Sequence, residues 1–379
     1  MIATSLIIII VFYLFTIAVL VIGFDKVKDF NLRDLQSKNK FTVIIPFRNE
    51  AENLQELLSS IYRLNYPITH FEIILVNDES QDNSIEIINT FIPKSNLKNS
   101  ASITVIDNLR RTNSPKKDAI SSAIKKAKYD WIITTDADCV LPKYWLDAFD
   151  EFIQSNNPIC IVAPVCYQNP NTFLDRFQTL DFLSLQGATI GGFGIKENFL
   201  ANGENFGYKR CVFLEINGFT GNENIASGDD IFLLEKFKKL NIKEVSYLKS
   251  DLATVTTKPV CNFESLIQQR LRWASKTSHN PNWFSKFLGL IVFLGNFACI
   301  LMFLLMLFQI LNVRTAVALL VIKFGVDFLL LFKTSRFFKQ ESVLLSFLSS
   351  SILYPLFSVA VVLLSFFNSF EWKDRGFKK

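Results

Sequence analysis

Four stretches of this chain are apolar over a length that can cross a bilayer, and they crowd its two ends. Ile2 to Phe24 carries no charge before Asp25, and Phe287 to Val313 and Ser342 to Phe370 are equally charge-free. Thr315 to Phe332 is apolar apart from Lys323 and Asp327, which stand four apart and can pair on one helix, lowering the cost of insertion. A spanning helix needs roughly 20 apolar residues. One amino-terminal span at residues 1–24 and a cluster of about three within 286–370 are therefore predicted. The first stretch lacks the basic flank and small-residue cleavage site of a signal peptide. A chain built this way is an integral membrane protein with a folded middle.

Charge placement orients that middle. Lys26, Lys28, Arg33, Lys38 and Lys40 follow the first span, and Lys333, Arg336 and Lys339 fall between the last two. Basic residues near spans favour the cytoplasmic side, so the middle is expected to be cytoplasmic, at a bacterial-type inner membrane. The tail residues Lys373, Arg375, Lys378 and Lys379 run against that count. A net charge of +5, gathered beside the spans, suits an anionic membrane surface and not nucleic acid. The six cysteines form no CxxC pair and the two histidines do not cluster, so neither a disulfide framework nor a zinc site is expected. Of those histidines, His70 reads as a surface turn residue and His279 as a minor metal-ligand candidate.

The middle alternates strand and helix. Phe41 to Pro46 reads as a buried strand, followed by a helix capped at Asn49 with Glu52 placed for a capping box. Phe71 to Val76 is a second strand, Ser84 to Phe91 a helix, Ile103 to Ile106 a short strand and Pro115 to Lys128 a basic helix. The apolar run Trp131 to Thr135 closes the series. Such alternation predicts an α/β fold with a mostly parallel sheet and right-handed crossovers. No GxGxxG follows the first strand and no GKS/T loop occurs, which excludes the common dinucleotide and P-loop sites.

Acidic residues occupy the strand ends instead: Glu50, Asp78, and Asp136 with Asp138. Ligands bind at the carboxyl ends of such strands. Two carboxylates one residue apart repel unless a cation or hydrogen-bonding ligand lies between them, and hard oxygens favour Mg²⁺ or Mn²⁺ shared with substrate phosphates. A solvated turn is the bland alternative for one such pair, but acids converging from three strand ends define a polar crevice.

Farther on, Ile159 to Pro164 could be another strand and Phe173 to Leu185 an amphipathic helix. Gly187 to Gly194, with four glycines, is expected to be a mobile loop. Gly228-Asp229-Asp230 opens a helix, where acids are ordinary capping residues. Phe263 to Ala274 is a helix carrying Gln269, Arg270, Arg272 and Trp273.

In order, Pro46-Phe47-Arg48-Asn49-Glu50, Val76-Asn77-Asp78-Glu79-Ser80, Lys116 with Ala119, Asp136-Ala137-Asp138, Asn217-Gly218-Phe219, Gly228-Asp229-Asp230 and Gln269-Arg270-Leu271-Arg272-Trp273 resemble the family-2 glycosyltransferases of the GT-A fold. The last segment is the QxxRW pattern of membrane-bound members, similar to polysaccharide synthases and ceramide glucosyltransferase-like enzymes. The resemblance covers residues 41–274, with 41–140 as a nucleotide-binding half and 159–274 as an acceptor-binding half. It departs at Ser114-Pro115, where a glycine is commoner before the lysine.

The resemblance implies roles. Pro46, Arg48, Glu50, Asp78 and Lys116 would hold the nucleotide, Asp136 would lie near the ribose and Asp138 would bind a divalent ion. Asp230, with Asp229 beside it, would be the general base. Arg272 would meet the diphosphate, while Gln269 and Trp273 would meet the acceptor. The implied reaction is inverting transfer from a nucleotide-sugar, of UDP type, to a lipid or lipid-linked glycan. A processive polysaccharide synthase competes: the QxxRW pattern leans towards it, whereas about four spans leave little material for a channel. A non-catalytic sugar-nucleotide scaffold is disfavoured because Asp138 and Asp230 are both present.

Overall fold

The computed structural model describes residues 2–94, 102–168, 170–223, 225, 227–367, 370–372 and 375–377. In chain order its elements begin with α1 (Ile2–Lys26), β1 (Phe41–Phe47), α2 (Ala51–Tyr62), β2 (Phe71–Asn77), α3 (Ser84–Lys94), β3 (Ser102–Asp107) and α4 (Pro115–Ile124). They continue with β4 (Trp131–Thr134), α5 (Trp145–Asn156), β5 (Cys160–Val162), β6 (Val165–Tyr167), α6 (Phe173–Gly194), β7 (Phe206–Lys209), α7 (Arg210–Glu215) and α8 (Asp229–Asn241). The last are β8 (Val245–Tyr247), β9 (Val255–Thr257), α9 (Phe263–His279), α10 (Trp283–Leu307), α11 (Val313–Phe337), α12 (Phe347–Phe367) and the strands β10 (Phe370–Trp372) and β11 (Arg375–Phe377).

The chain divides into two compact units. One contains residues 28–168 and 200–258; the other contains 1–27, 169–199 and 259–379. The first is built on a seven-stranded sheet ordered β3-β2-β1-β4-β7-β5-β8. Strands β3, β2, β1 and β4 run parallel, as the alternation predicts, and β7 reverses the direction against both β4 and β5. With helices on the sheet this is the GT-A arrangement. The central strands are buried on both faces, which is why Val43 to Ile45 and Ile73 to Val76 read as unbroken apolar runs. Leu54, Leu57, Leu58 and Ile61 of α2 pack into the same core as Trp145 and Phe149 of α5.

Two local readings are corrected. Asn49 does not cap α2: its backbone is left-handed (φ 51°), Glu50 is the N-cap residue without a side-chain cap bond, and the Asn49 side chain accepts from the Gln81 amide at 2.8 Å. Phe206–Lys209 is an antiparallel strand that the sequence analysis does not identify, its apolar residues being interrupted by a glycine.

Among the described residues the other unit holds four helices long and apolar enough to cross a membrane: Ile2–Lys26, Trp283–Leu307, Val313–Phe337 and Glu341–Phe367. Lys323 and Asp327 pair as expected, at 2.8 Å. The pair is also satisfied by neighbours, since Tyr13 donates to Asp327 at 2.6 Å and Lys323 donates to Asn296 at 3.0 Å. The glycine-rich segment expected to be mobile is instead the second half of α6. Its glycines allow close approach: a Cβ on Gly191 would lie 2.4 Å from the Leu20 carbonyl oxygen, and one on Gly194 would collide with that of Gly23. Small residues that let two backbones touch are a recurring device between membrane helices. The His279 side chain and the tail residues Lys373, Lys378 and Lys379 lie outside the described residues.

Candidate active site

Strand β4 ends at Thr134, and the chain turns through Asp136-Ala137-Asp138 at the carboxyl edge of the parallel strands. Lys116, in the first turn of α4, reaches this turn and pairs with Asp136 at 2.5 Å. It also lies 3.6 Å from Asp229, the first residue of α8. One ammonium thus ties Asp136 to Asp229, acids remote from each other in the sequence. Burial alone would pull the Lys116 ammonium down, but Asp136, Asp229 and Asp230 outweigh it and hold the group well above its ordinary value. Lys116 is a permanent cation in this site.

Gly203 forms the floor. A Cβ there would sit 2.9 Å from Asp229 Oδ2 and 3.1 Å from Lys116 Nζ, so the ion pair and the backbone occupy one tight space. The Gly203 amide donates to Asp230 Oδ2 at 3.3 Å, and Asp230 Oδ1 accepts from the Ile231 amide at 2.8 Å. Asp230 is 6% exposed and lies in the first turn of α8. Gly228 enters that helix with φ +85°, a conformation that suits glycine. Asn205 locks the turn after Gly203 by donating to the carbonyls of Pro164 and Ala253 and accepting from the Trp145 indole.

A second cluster surrounds Asp78 at the end of β2. Arg48 is buried and donates to the carbonyls of Asp78 and Glu79, both at 2.8 Å, so it braces the loop and does not face outward. Asn108 donates to Asp78 Oδ1 at 2.6 Å, and Arg110 lies 3.6 Å from the same oxygen. Asn108 also donates to the Pro115 carbonyl, so the start of α4 joins the two clusters. Asp118, one turn into α4, accepts from the amides of Arg111 and Thr112 and holds the loop carrying Arg110. Pro46 is paired in register with Val76, while Glu50 turns towards Asn53 at 2.7 Å. The sequence assigns no role to Asn108, Arg110, Gly203 or Asp118. The first two follow β3 directly, and the rule that ligands gather at strand ends would have reached them.

The Asp138 carboxylate accepts from Cys139 Sγ at 3.7 Å. Burial pushes the Cys139 thiol far up, and the charges of Asp138, Glu204 and Asp136 push it further. Among the described residues no group of three His, Cys, Asp or Glu side chains is close enough to hold a metal by itself. A donor set of one or two carboxylates still fits Mg²⁺ or Mn²⁺, which normally complete their shells with water and substrate phosphate. Gln269, Arg272 and Trp273 lie on α9, in the unit that contains the apolar helices.

A glycosyl transferase family 2 profile matches residues 42–216. The chain is 29% identical over 243 residues to the poly-beta-1,6-N-acetyl-D-glucosamine synthase of Staphylococcus epidermidis, covering 61% of this chain and 48% of that protein. It is 26% identical over 234 residues to the synthase of the same name from Staphylococcus aureus, covering 61% and 46%. The chain thus spans about half the length of the curated relatives it matches. A mannosyltransferase from Pyrobaculum calidifontis, solved in complex with GDP-Man and Mn2+, shares the fold with a TM-score of 0.59 at 16% identity, over 97% of this chain and 100% of that one. Profile, relatives and fold agree with the motifs: residues 42–216 match the family 2 glycosyltransferase profile, and the fold is of the GT-A type.

Proposed function

We propose that the protein is a membrane-bound inverting glycosyltransferase that moves a sugar from a nucleotide-diphospho-sugar to a glycan or lipid-linked acceptor. The observation that carries this reading is the gathering of Asp136, Lys116, Asp229 and Asp230 around Gly203. Asp78, buried and anchored by Asn108, offers its carboxylate to an N–H of a base edge, as uracil presents. Asp136 takes the ribose side and Lys116 lends its fixed charge to the phosphates. Asp138 and Asp136 would hold a divalent ion, which when bound neutralises charge on the departing diphosphate. Asp230 takes the proton from the acceptor hydroxyl as that oxygen attacks the anomeric carbon, and Asp229 keeps Lys116 and Gly203 in register with it. Proton transfer of this kind is worth about 10²–10⁴-fold. Gln269 and Trp273 are assigned to the acceptor, and Arg272 to the diphosphate, on family resemblance. The unit of residues 28–168 and 200–258 is placed in the cytoplasm, where nucleotide-sugars are made.

The acceptor has two readings. The modest number of candidate spans favours a single lipid or lipid-linked acceptor, and the names of the relatives favour a growing polysaccharide. The test is donor turnover by detergent-purified full-length protein with UDP-sugars and Mg²⁺ or Mn²⁺. UDP release should vanish with a chelator, return with metal, and fall by about 10²-fold or more in Asp230→Asn. Unchanged release in that variant refutes the assignment. Radiolabelled product that partitions into organic solvent supports the lipid acceptor; water-soluble polymer that lengthens with time supports the synthase.

A further inference from the structure

We infer that Asp181 on α6 and Tyr354 on α12 are positioning residues, which set the Gln269 and Trp273 side chains through Arg270. The inference rests on the proposed glycosyl transfer for its functional meaning, and its geometry lies wholly within the unit that holds α6, α9 and α12. Arg270 is one of the two unspecified positions of the QxxRW pattern, yet this charged side chain is buried, 6% exposed. Its Nε donates to Asp181 Oδ2 at 2.5 Å, and Tyr354 donates to Asp181 Oδ1 at 2.9 Å. From that anchor the guanidinium controls both ends of the motif. Nη1 donates to Gln269 Oε1 at 2.5 Å, and the guanidinium carbon lies 4.1 Å from the centroid of the Trp273 ring. Phe182, next to Asp181, packs on the same indole at 5.9 Å. One turn earlier on α6, Gln178 both donates to the Val260 carbonyl (3.0 Å) and accepts from its amide (3.1 Å), bracing the approach to α9.

A cation stacked on an indole and bonded to a neighbouring amide leaves neither side chain free to choose another rotamer. The stack needs Arg270 to stay where Asp181 holds it. A buried ion pair adds little net stability against an apolar replacement, but losing one partner strands the other's charge. Retaining such a pair in the middle of a functional motif is therefore better explained by placement than by stability. Tyr354 extends the constraint to α12, part of a helix long enough to cross the membrane. The position of Trp273 is thereby coupled to membrane packing.

The experiment labels the full-length protein in detergent with 5-fluorotryptophan; its five tryptophans give five ¹⁹F lines, with the Trp273 line assigned by its loss in Trp273→Phe. Asp181→Asn should move or broaden that line and leave the other four in place, Tyr354→Phe should do so more weakly, and Asp181→Glu should restore it. In the turnover assay with UDP-N-acetylglucosamine, Asp181→Asn should lower kcat by about ten-fold or more while the donor KM stays within about two-fold, as expected for lost orientation. A stationary Trp273 line in Asp181→Asn, or turnover equal to that of the unmodified protein, overturns the inference. If Asp230→Asn and Asp181→Asn both leave UDP release unchanged, the proposed reaction falls as well. Loss of release in Asp230→Asn alone removes only the positioning role.

Discussion

At the scale of single residues, the site depends on one lysine shared by two acids. The Lys116 ammonium is held above its ordinary value, so its ion pairs are intact at neutral pH and weaken only as pH climbs past the usual lysine range. Activity lost between pH 5 and 8 would therefore not come from Lys116. Gly203→Ala tests the same space. The intruding Cβ meets the flexible ends of Asp229 and Lys116, so the fold should survive with little change in Tm, while UDP release falls by about ten-fold or more because the ion pair is displaced. Unaltered turnover in that variant would show that the Lys116–Asp229 spacing is irrelevant to the reaction. Cysteine chemistry offers a second check. Cys139, Cys160 and Cys166 are buried, and burial raises each thiol. A maleimide at pH 7 should label Cys261 and, more slowly, Cys211, and spare those three until the protein is denatured.

At the scale of elements, α6 is the one the sequence misrepresents. Glycine between periodic segments ordinarily signals a loop, and Gly187 to Gly194 has the composition of one. Tertiary contact reverses the local preference, because Gly191 and Gly194 let α6 lie against the backbone of α1. Gly191→Leu should therefore cost about 2 kcal/mol or more, seen as a lower Tm in detergent, whereas a flexible loop would accept the change silently. Strand β7 is among the elements missed, since Phe206-Gly207-Tyr208-Lys209 is interrupted by a glycine and holds no β-branched residue. By contrast β1, β2 and β4 were legible from runs of β-branched and aromatic residues, and so were the acids that end them. The partners of those acids were less so: nothing local to Gly203 announces that Asp229 and Lys116 close over it.

At the scale of the whole molecule, four helices among the described residues have the length and hydropathy of membrane spans, and the side that holds the other unit is open to direct test. If it is cytoplasmic, protease added to inverted bacterial membrane vesicles should remove the domain, and protease added to intact spheroplasts should spare it; the opposite pattern reverses the assignment. The amino-acid sequence by itself determined the apolar segments, the parallel half of the sheet, the acidic strand ends and the family, because each is written in local periodicity or in short ordered motifs. Only the tertiary structure decided which distant side chains meet. Lys116 bridging Asp136 and Asp229 over Gly203, and Asp181 holding Arg270 under Trp273, are contacts between residues far apart in the chain. Their existence depends on how sheet and helices close, a property no local pattern encodes.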